Sequence, residues 1–308
     1  MDVDTTVEAI KSMEIRGAGR IARAGASALA DYATNFKGDD PKVFIAGIMD
    51  SKDRILGSRP TAVSLWNGVH ATIKGVDACD TVEGMRELIV SNAERFNKAS
   101  LDAVKTIGEI GAKRIQDGDI ILTHCNSSAA LSVIKTAFRQ GKKFRVYATE
   151  SRPWRQGILT VNELAKEGID ITLIIDSAVR SVMKSVTKVF VGADTITSHG
   201  TLVNKIGTSQ LALAANEARV QFYVCSETYK FSPMTLFGDM VTIEERDHDE
   251  VAKREILDPA VKIFNPVFDS TPAKYIDGII TEVGLISPGS VYHVMTDQLG
   301  DDIFKLIG

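Results

Sequence analysis

The chain has 308 residues, 44% of them hydrophobic, with 36 Lys and Arg against 40 Asp and Glu for a formal net charge of −4. Such a chain can bury one large core or two ordinary ones, and its pI near 5.8 leaves no global basic field to hold nucleic acid, so any anion site must be local. The cysteines, Cys79, Cys125 and Cys225, are odd in number and lack the close pairs of zinc or redox motifs, which reads as reduced thiols in a cytoplasmic protein. An acidic start, Met1-Asp-Val-Asp4, and no apolar run near the roughly 20 residues of a membrane span argue against a signal peptide or a membrane partner.

In chain order, residues 5–115 read as helix: Ala-rich and charged stretches such as 21–32 and 82–115 repeat apolar residues every three or four positions. From residue 119 the texture changes to short apolar runs, each followed by a longer amphipathic segment. The runs are 119–124, 144–149, 169–175, 188–193, 221–224 and 277–281, and the helices between or after them are 127–140, 161–167, 178–185, 205–218 and 287–298. The expected fold class is α/β, an N-terminal helical domain (1–117) followed by a Rossmann-like domain with a mainly parallel sheet (118–308). No Gly-x-Gly-x-x-Gly follows the first strand, so a dinucleotide is not expected. Residues 232–268, with Pro233, Pro259 and Pro266 and little periodicity, read as a long excursion, a lid or an interface, not as a separate domain.

In an open parallel sheet ligands bind beyond the carboxyl ends of the strands. The residues there are His124, Cys125, Asn126, Ser127 and Ser128 after the first run, Glu150, Ser151 and Arg152 after the second, Asp176 and Ser177 after the third. Asp194 follows the fourth, and Glu227 and Lys230 follow the fifth. Cys125 ends a strand and precedes a helix, whose positive end is expected to lower its pKa and make it a base or nucleophile; the alternative is a small buried hydrophobe. Asp194 either caps a turn or faces the crevice, and Asn204-Lys-Ile-Gly-Thr208 brings an amide, an ammonium and a helix start that suit a phosphate. Arg16-Gly-Ala-Gly-Arg20 is an anion cradle or an ordinary glycine-rich helix start, and Arg59 binds an anion or pairs with a surface carboxylate. Neighbours in a strand face opposite ways, so His124 is read as a core or supporting histidine, not as a partner of the thiol. No histidine and carboxylate set has ligand spacing, so neither a metal nor another cofactor is implied.

Read together, Met13-Glu-Ile-Arg-Gly-Ala-Gly19, Arg59-Pro-Thr-Ala-Val63, Thr123-His-Cys-Asn-Ser127, Glu150-Ser-Arg-Pro153, Gly192-Ala-Asp194, Asn204-Lys-Ile-Gly-Thr208 and Glu227-Thr-Tyr-Lys230 resemble one superfamily. It comprises the translation initiation factor 2B alpha, beta and delta subunits, methylthioribose-1-phosphate isomerases and archaeal ribose-1,5-bisphosphate isomerases. The chain looks most like the last of these. The resemblance implies a homo-hexamer built from dimers, a catalytic cysteine and aspartate at Cys125 and Asp194, and substrate contacts at Arg16, Gly17, Ala18, Gly19, Arg59, Asn126, Ser127, Ser128, Asn204, Lys205 and Lys230. Ser128 departs from relatives that carry a basic residue there. The implied reaction converts α-D-ribose 1,5-bisphosphate to D-ribulose 1,5-bisphosphate in nucleoside monophosphate degradation, with AMP as an activator. The alternatives are a methylthioribose-1-phosphate isomerase and a non-catalytic regulatory subunit of the initiation-factor type.

Overall fold

The computed structural model describes residues 1–238 and 240–299. The chain divides into two compact units, residues 1–103 and 104–308. The first is helical: α1 (Val3–Lys11), α2 (Ala18–Asn35), α3 (Pro41–Ser58), α4 (Val63–Ile73) and most of α5 (Val82–Ala112), through which the division runs. Two helix starts are written locally: the Asp2 carboxylate accepts the Thr5 amide, and Asp40 accepts the Lys42 amide with Pro41 in the first turn, so each aspartate satisfies a donor that has no partner inside its helix. The apolar faces close around Leu29, Phe44, Ile48, Ile55, Leu65 and Ile89, all fully buried.

The second unit is built on strands β1 (Ile120–His124), β2 (Arg145–Thr149), β3 (Asp170–Ile174), β4 (Lys188–Val191), β5 (Thr195–Thr197), β6 (Leu202–Lys205), β7 (Gln221–Cys225), β8 (Phe231–Ser232), β9 (Phe268–Thr271), β10 (Gly278–Thr281) and β11 (Gly284–Ile286). Its helices are α6 (Ser128–Arg139), α7 (Gly157–Lys166), α8 (Val179–Val182), α9 (Thr208–Ala218) and α10 (Val291–Leu299). Among the described residues, a seven-stranded sheet runs β11-β10-β7-β4-β1-β2-β3, parallel except for the β10–β11 hairpin. The six apolar runs expected from sequence are its six parallel strands. Counted among themselves they lie in the order 6-5-4-1-2-3, the doubly wound arrangement that reverses between β1 and β4. Apolar faces on the two sides of the sheet form separate clusters, one around Leu122, Val189, Val224 and Ile279, the other around Ile121, Ile134, Phe190 and Ile280. The strand residues of the two clusters alternate sides, as in Ile121 and Leu122 of β1 or Val189 and Phe190 of β4, while Ile134 comes from the covering helix α6.

A second sheet, β8-β5-β6-β9, was not foreseen. Its strands are two to four residues long, too short for an alternating pattern to show. One consequence is a correction: residues 205–207, read as the start of a helix, end β6 and form the turn before α9. Within residues 232–268, between the ends of β8 and β9, short helical turns at Pro233–Phe237, His248–Glu250 and Arg254–Ile256 and one bridge, Glu245 with Pro266, are the regular structure among the described residues; residue 239 lies outside them. The segment packs on the turn after β2, where Arg246 stands 5.1 Å over the Trp154 ring and the Arg152 guanidinium donates to the Val251 carbonyl at 3.2 Å.

Candidate active site

The reversal of strand order splits the loops after β1 and β4 to opposite sides and leaves a crevice between them. His124 is in register with Val191, so the next residues, Cys125 on one side and Gly192-Ala-Asp194 on the other, leave the sheet side by side. The charge of Asp194 acts on the Cys125 thiol, as does the ammonium of Lys205 at the end of β6. Gly192 has to be glycine here: a Cβ would stand 2.3 Å from the Ser127 hydroxyl. That hydroxyl caps α6 by accepting the Ala130 amide at 3.4 Å, while Asn126 donates from its side chain to the Thr160 hydroxyl at 3.0 Å and Ser128 is exposed on the first turn.

Cys125 is not part of the strand. It sits at φ 66°, in the left-handed region, with its amide donating to the Ser151 Oγ at 2.8 Å and its carbonyl accepting from the Thr160 hydroxyl at 2.7 Å. The thiol departs from expectation. Burial pushes it up to about 11, with the Asp194 and Asp176 charges adding to the rise, while Lys205 and the Asn126 amide pull the other way. The positive helix end was expected to win, but α6 begins three residues later, with its Ala130 amide turned to the Ser127 cap, and desolvation dominates.

His124 is buried and supports the site from behind. Its Nε2–H donates to the Ile206 carbonyl at 2.9 Å, which fixes the tautomer and leaves Nδ1 to accept from the Thr149 hydroxyl at 2.5 Å. Burial holds its pKa below the usual histidine value, so it is a neutral strut. Gly207 allows the approach: a Cβ there would meet the ring at 3.1 Å, and its φ of 101° also favours glycine.

The phosphate expected at the start of α9 meets a competitor. The Asp269 carboxylate, from β9, accepts the Gly207 amide at 2.8 Å and the Ser209 amide at 3.1 Å, so those two donors are already bound by a carboxylate of the chain itself. Asn204 is buried and donates to the Thr208 hydroxyl at 3.0 Å, which bonds the Lys205 carbonyl; the Lys205 ammonium stands 5.2 Å over the Phe268 ring. Lys230 is buried 2.7 Å from Glu227. Burial opposes its charge, yet Glu227, Tyr229 and, at longer range, Asp194 outweigh that and hold its pKa above the usual lysine value. Arg16, Gly17, Ala18, Gly19 and Arg59 belong to the helical unit. Gly17, at φ 88°, precedes α2 with open space around its Cα, and the Arg59 guanidinium reaches the Met13 sulfur at 3.8 Å.

What the second unit gathers is therefore a thiol, a carboxylate and two ammonium groups at a strand-order reversal, backed by a neutral histidine. A sequence model of the Initiation factor 2 subunit family matches residues 14–288. The chain belongs to that family. Within this family, the chain is 51% identical over 298 residues to ribose 1,5-bisphosphate isomerase of Methanocaldococcus jannaschii, covering 97% of this chain and 96% of that one. It is 53% identical over 299 residues to the protein of the same name from Archaeoglobus fulgidus, covering 97% and 94%. A solved structure described as translation initiation factor eIF-2B of Pyrococcus horikoshii OT3 superposes with a TM-score of 0.80 at 35% identity, covering 93% of this chain and 97% of that one. The helical N-terminal region and mostly parallel sheet are thus the fold of the family. Ser151 and Asp176 stand among the polar residues after strands that the sequence points to, without a role assigned there, whereas Thr160, on a helix face, and Asp269, in a four-residue strand, give no such signal.

Proposed function

We propose that the chain isomerises α-D-ribose 1,5-bisphosphate to D-ribulose 1,5-bisphosphate, with Cys125 and Asp194 as its catalytic pair. The observation that carries this reading is the register of β1 with β4, which sets a thiol and a carboxylate on the two sides of one crevice; the relatives' names supply the substrate. An aldose phosphorylated at its anomeric carbon has no free aldehyde, so the ring must open by another route. Asp194 gives a proton to the ring oxygen as the bond from C1 to that oxygen breaks, and the electron deficiency left at C1 acidifies the C2–H. Cys125 removes that proton as a thiolate, giving a C1=C2 enol phosphate with a hydroxyl on C2. Return of the proton from Cys125 to C1, with the C2 hydroxyl proton passing to Asp194, leaves the C2 ketone and restores both groups.

The resemblance supports substrate contacts at Arg16, Gly17, Ala18, Gly19, Arg59, Asn126, Ser127, Ser128, Asn204, Lys205 and Lys230, with the phosphates held by Arg16, Arg59, Lys205, Lys230 and helix N-termini. It also supports a cytoplasmic homo-hexamer built from dimers, a place in nucleoside monophosphate degradation, and AMP as an activator. Among the described residues no helix is long and apolar enough to cross a membrane. A second reading, a methylthioribose-1-phosphate isomerase, gains from one observation: Lys230 is already paired with Glu227, which leaves less free positive charge for a second phosphate.

Phosphorus and carbon NMR of the protein with each sugar phosphate decides between them. The expected result is rapid conversion of the bisphosphate alone, reduced roughly 10²-fold or more in Cys125→Ser and in Asp194→Asn. Conversion of the thioether sugar alone moves the assignment to the second reading, and parent-like turnover in Cys125→Ser removes the proposed base.

A further inference from the structure

The turn after β2 holds a hydroxyl that the proposed reaction does not use. Ser151 is fully buried (0% exposed) and is itself left-handed, at φ 59°. Three consecutive strand ends are tied together through it. Asp176, after β3, accepts the amides of Ser151 and Arg152 at 2.8 and 2.7 Å. The Ser151 Oγ in turn accepts the amide of Cys125, after β1, at 2.8 Å, and lies 3.3 Å from Nδ1 of His124 and 3.2 Å from the Thr149 hydroxyl.

A left-handed backbone is unfavourable for a residue with a Cβ and persists only where its surroundings over-determine it. At Cys125 they do so from both sides of the residue, since its amide is held by Ser151 and its carbonyl by Thr160. Rotation about φ of Cys125 swings its Cβ, so the direction in which the Cα–Cβ bond carries the thiol is set by these two bonds. Without the Ser151 hydroxyl the Cys125 amide would be left without an acceptor beside a buried histidine, and the residue would gain by relaxing to an ordinary φ.

We propose that Ser151 is a positioning residue, whose hydroxyl locks the left-handed backbone of Cys125 and so aims the thiol at the substrate carbon, with Asp176 holding Ser151 in place. This rests on the reading of Cys125 as the base. The role is one of orientation, so its loss affects the chemical step and spares the grip on the phosphates.

The test uses the full-length protein with Ser151→Ala and Ser151→Gly, assayed for kcat and KM with α-D-ribose 1,5-bisphosphate alongside Cys125→Ser. Alanine keeps the Cβ and the left-handed strain that serine already carries, so it isolates loss of the hydroxyl; glycine takes that backbone without strain and keeps the test open if the alanine variant fails to fold. The expected result is a folded glycine variant whose kcat falls at least about fivefold while KM stays within about twofold. A purely structural role would lower the unfolding temperature without separating kcat from KM. A smaller fall in kcat, or a KM that rises in step with it, overturns the inference. Inactive Cys125→Ser with parent-like Ser151→Gly brings down this inference alone, whereas parent-like Cys125→Ser brings down the base assignment on which it stands.

Discussion

Cys125 concentrates the opposing effects of the site. Burial and two carboxylates raise its pKa to about 11, and Lys205 with the Asn126 amide opposes them. The balance gives a pair of opposite predictions. Removing the Asp194 charge in Asp194→Asn shifts the thiol below about 11, and removing the Lys205 charge in Lys205→Met shifts it higher. Iodoacetamide alkylation of the Cys125 peptide, followed against pH by mass spectrometry, reads both shifts, since the alkylation rate follows the thiolate fraction. Curves that coincide with the parent's in both variants would mean that neither group faces the thiol. At this scale the sequence was legible in kind and not in degree. A cysteine and an aspartate after two different strands point to chemistry, and the resemblance proposes Cys125 and Asp194 for it. The sign of the thiol's shift depends on how much protein covers Sγ and on where the first turn of α6 begins, and neither is written in neighbouring residues.

The helix α9 shows what an element owes to a partner distant in sequence. Its first amides are met by Asp269 from β9, sixty residues or more away. Burial pushes that carboxyl up from 3.8 to about 6, against the lowering effect of the Ser209 and Gly207 amides. A carboxyl whose folded pKa is raised contributes stability that is full below its unfolded pKa and is lost as pH rises through the folded one. Asp269 should therefore weaken the fold by up to about 3 kcal/mol between pH 4 and pH 7. Urea midpoints of the parent and Asp269→Asn across that range isolate the effect: the difference between the two should change in favour of the variant as pH rises, and parallel pH dependences would refute it. The six parallel strands could be read because each is a short apolar run bounded by turn residues, inner strands such as β1, β4 and β10 being buried on both faces and the edge strand β3 standing largely exposed. The small sheet could not. Strands of two to four residues carry too few alternations to signal, and their pairing is set by contacts across the chain. For the same reason the sequence does not separate residues 205–207, the end of β6 and its turn, from the helix that starts at Thr208.

The whole molecule carries cores that share no residue between its two units: the cluster around Leu29, Ile48 and Leu65 is made within residues 1–103, and the two clusters on the sheet within residues 104–308. The change from helical periodicity to alternating runs, expected as a boundary between residues 117 and 118, lies past the division after residue 103, which α5 crosses as one unbroken amphipathic helix. Separate cores predict separable unfolding. Leu29→Ala and Leu211→Ala each empty a position that is at most 1% exposed, and a buried leucine cut to alanine costs about 2–5 kcal/mol. In scanning calorimetry Leu29→Ala should lower one transition and leave the other in place, with Leu211→Ala doing the reverse. The same experiment has a clear contrary result. If each substitution moves a single transition whose calorimetric and van't Hoff enthalpies agree, the chain unfolds as one cooperative body, and α5 transmits the loss of either core to the other.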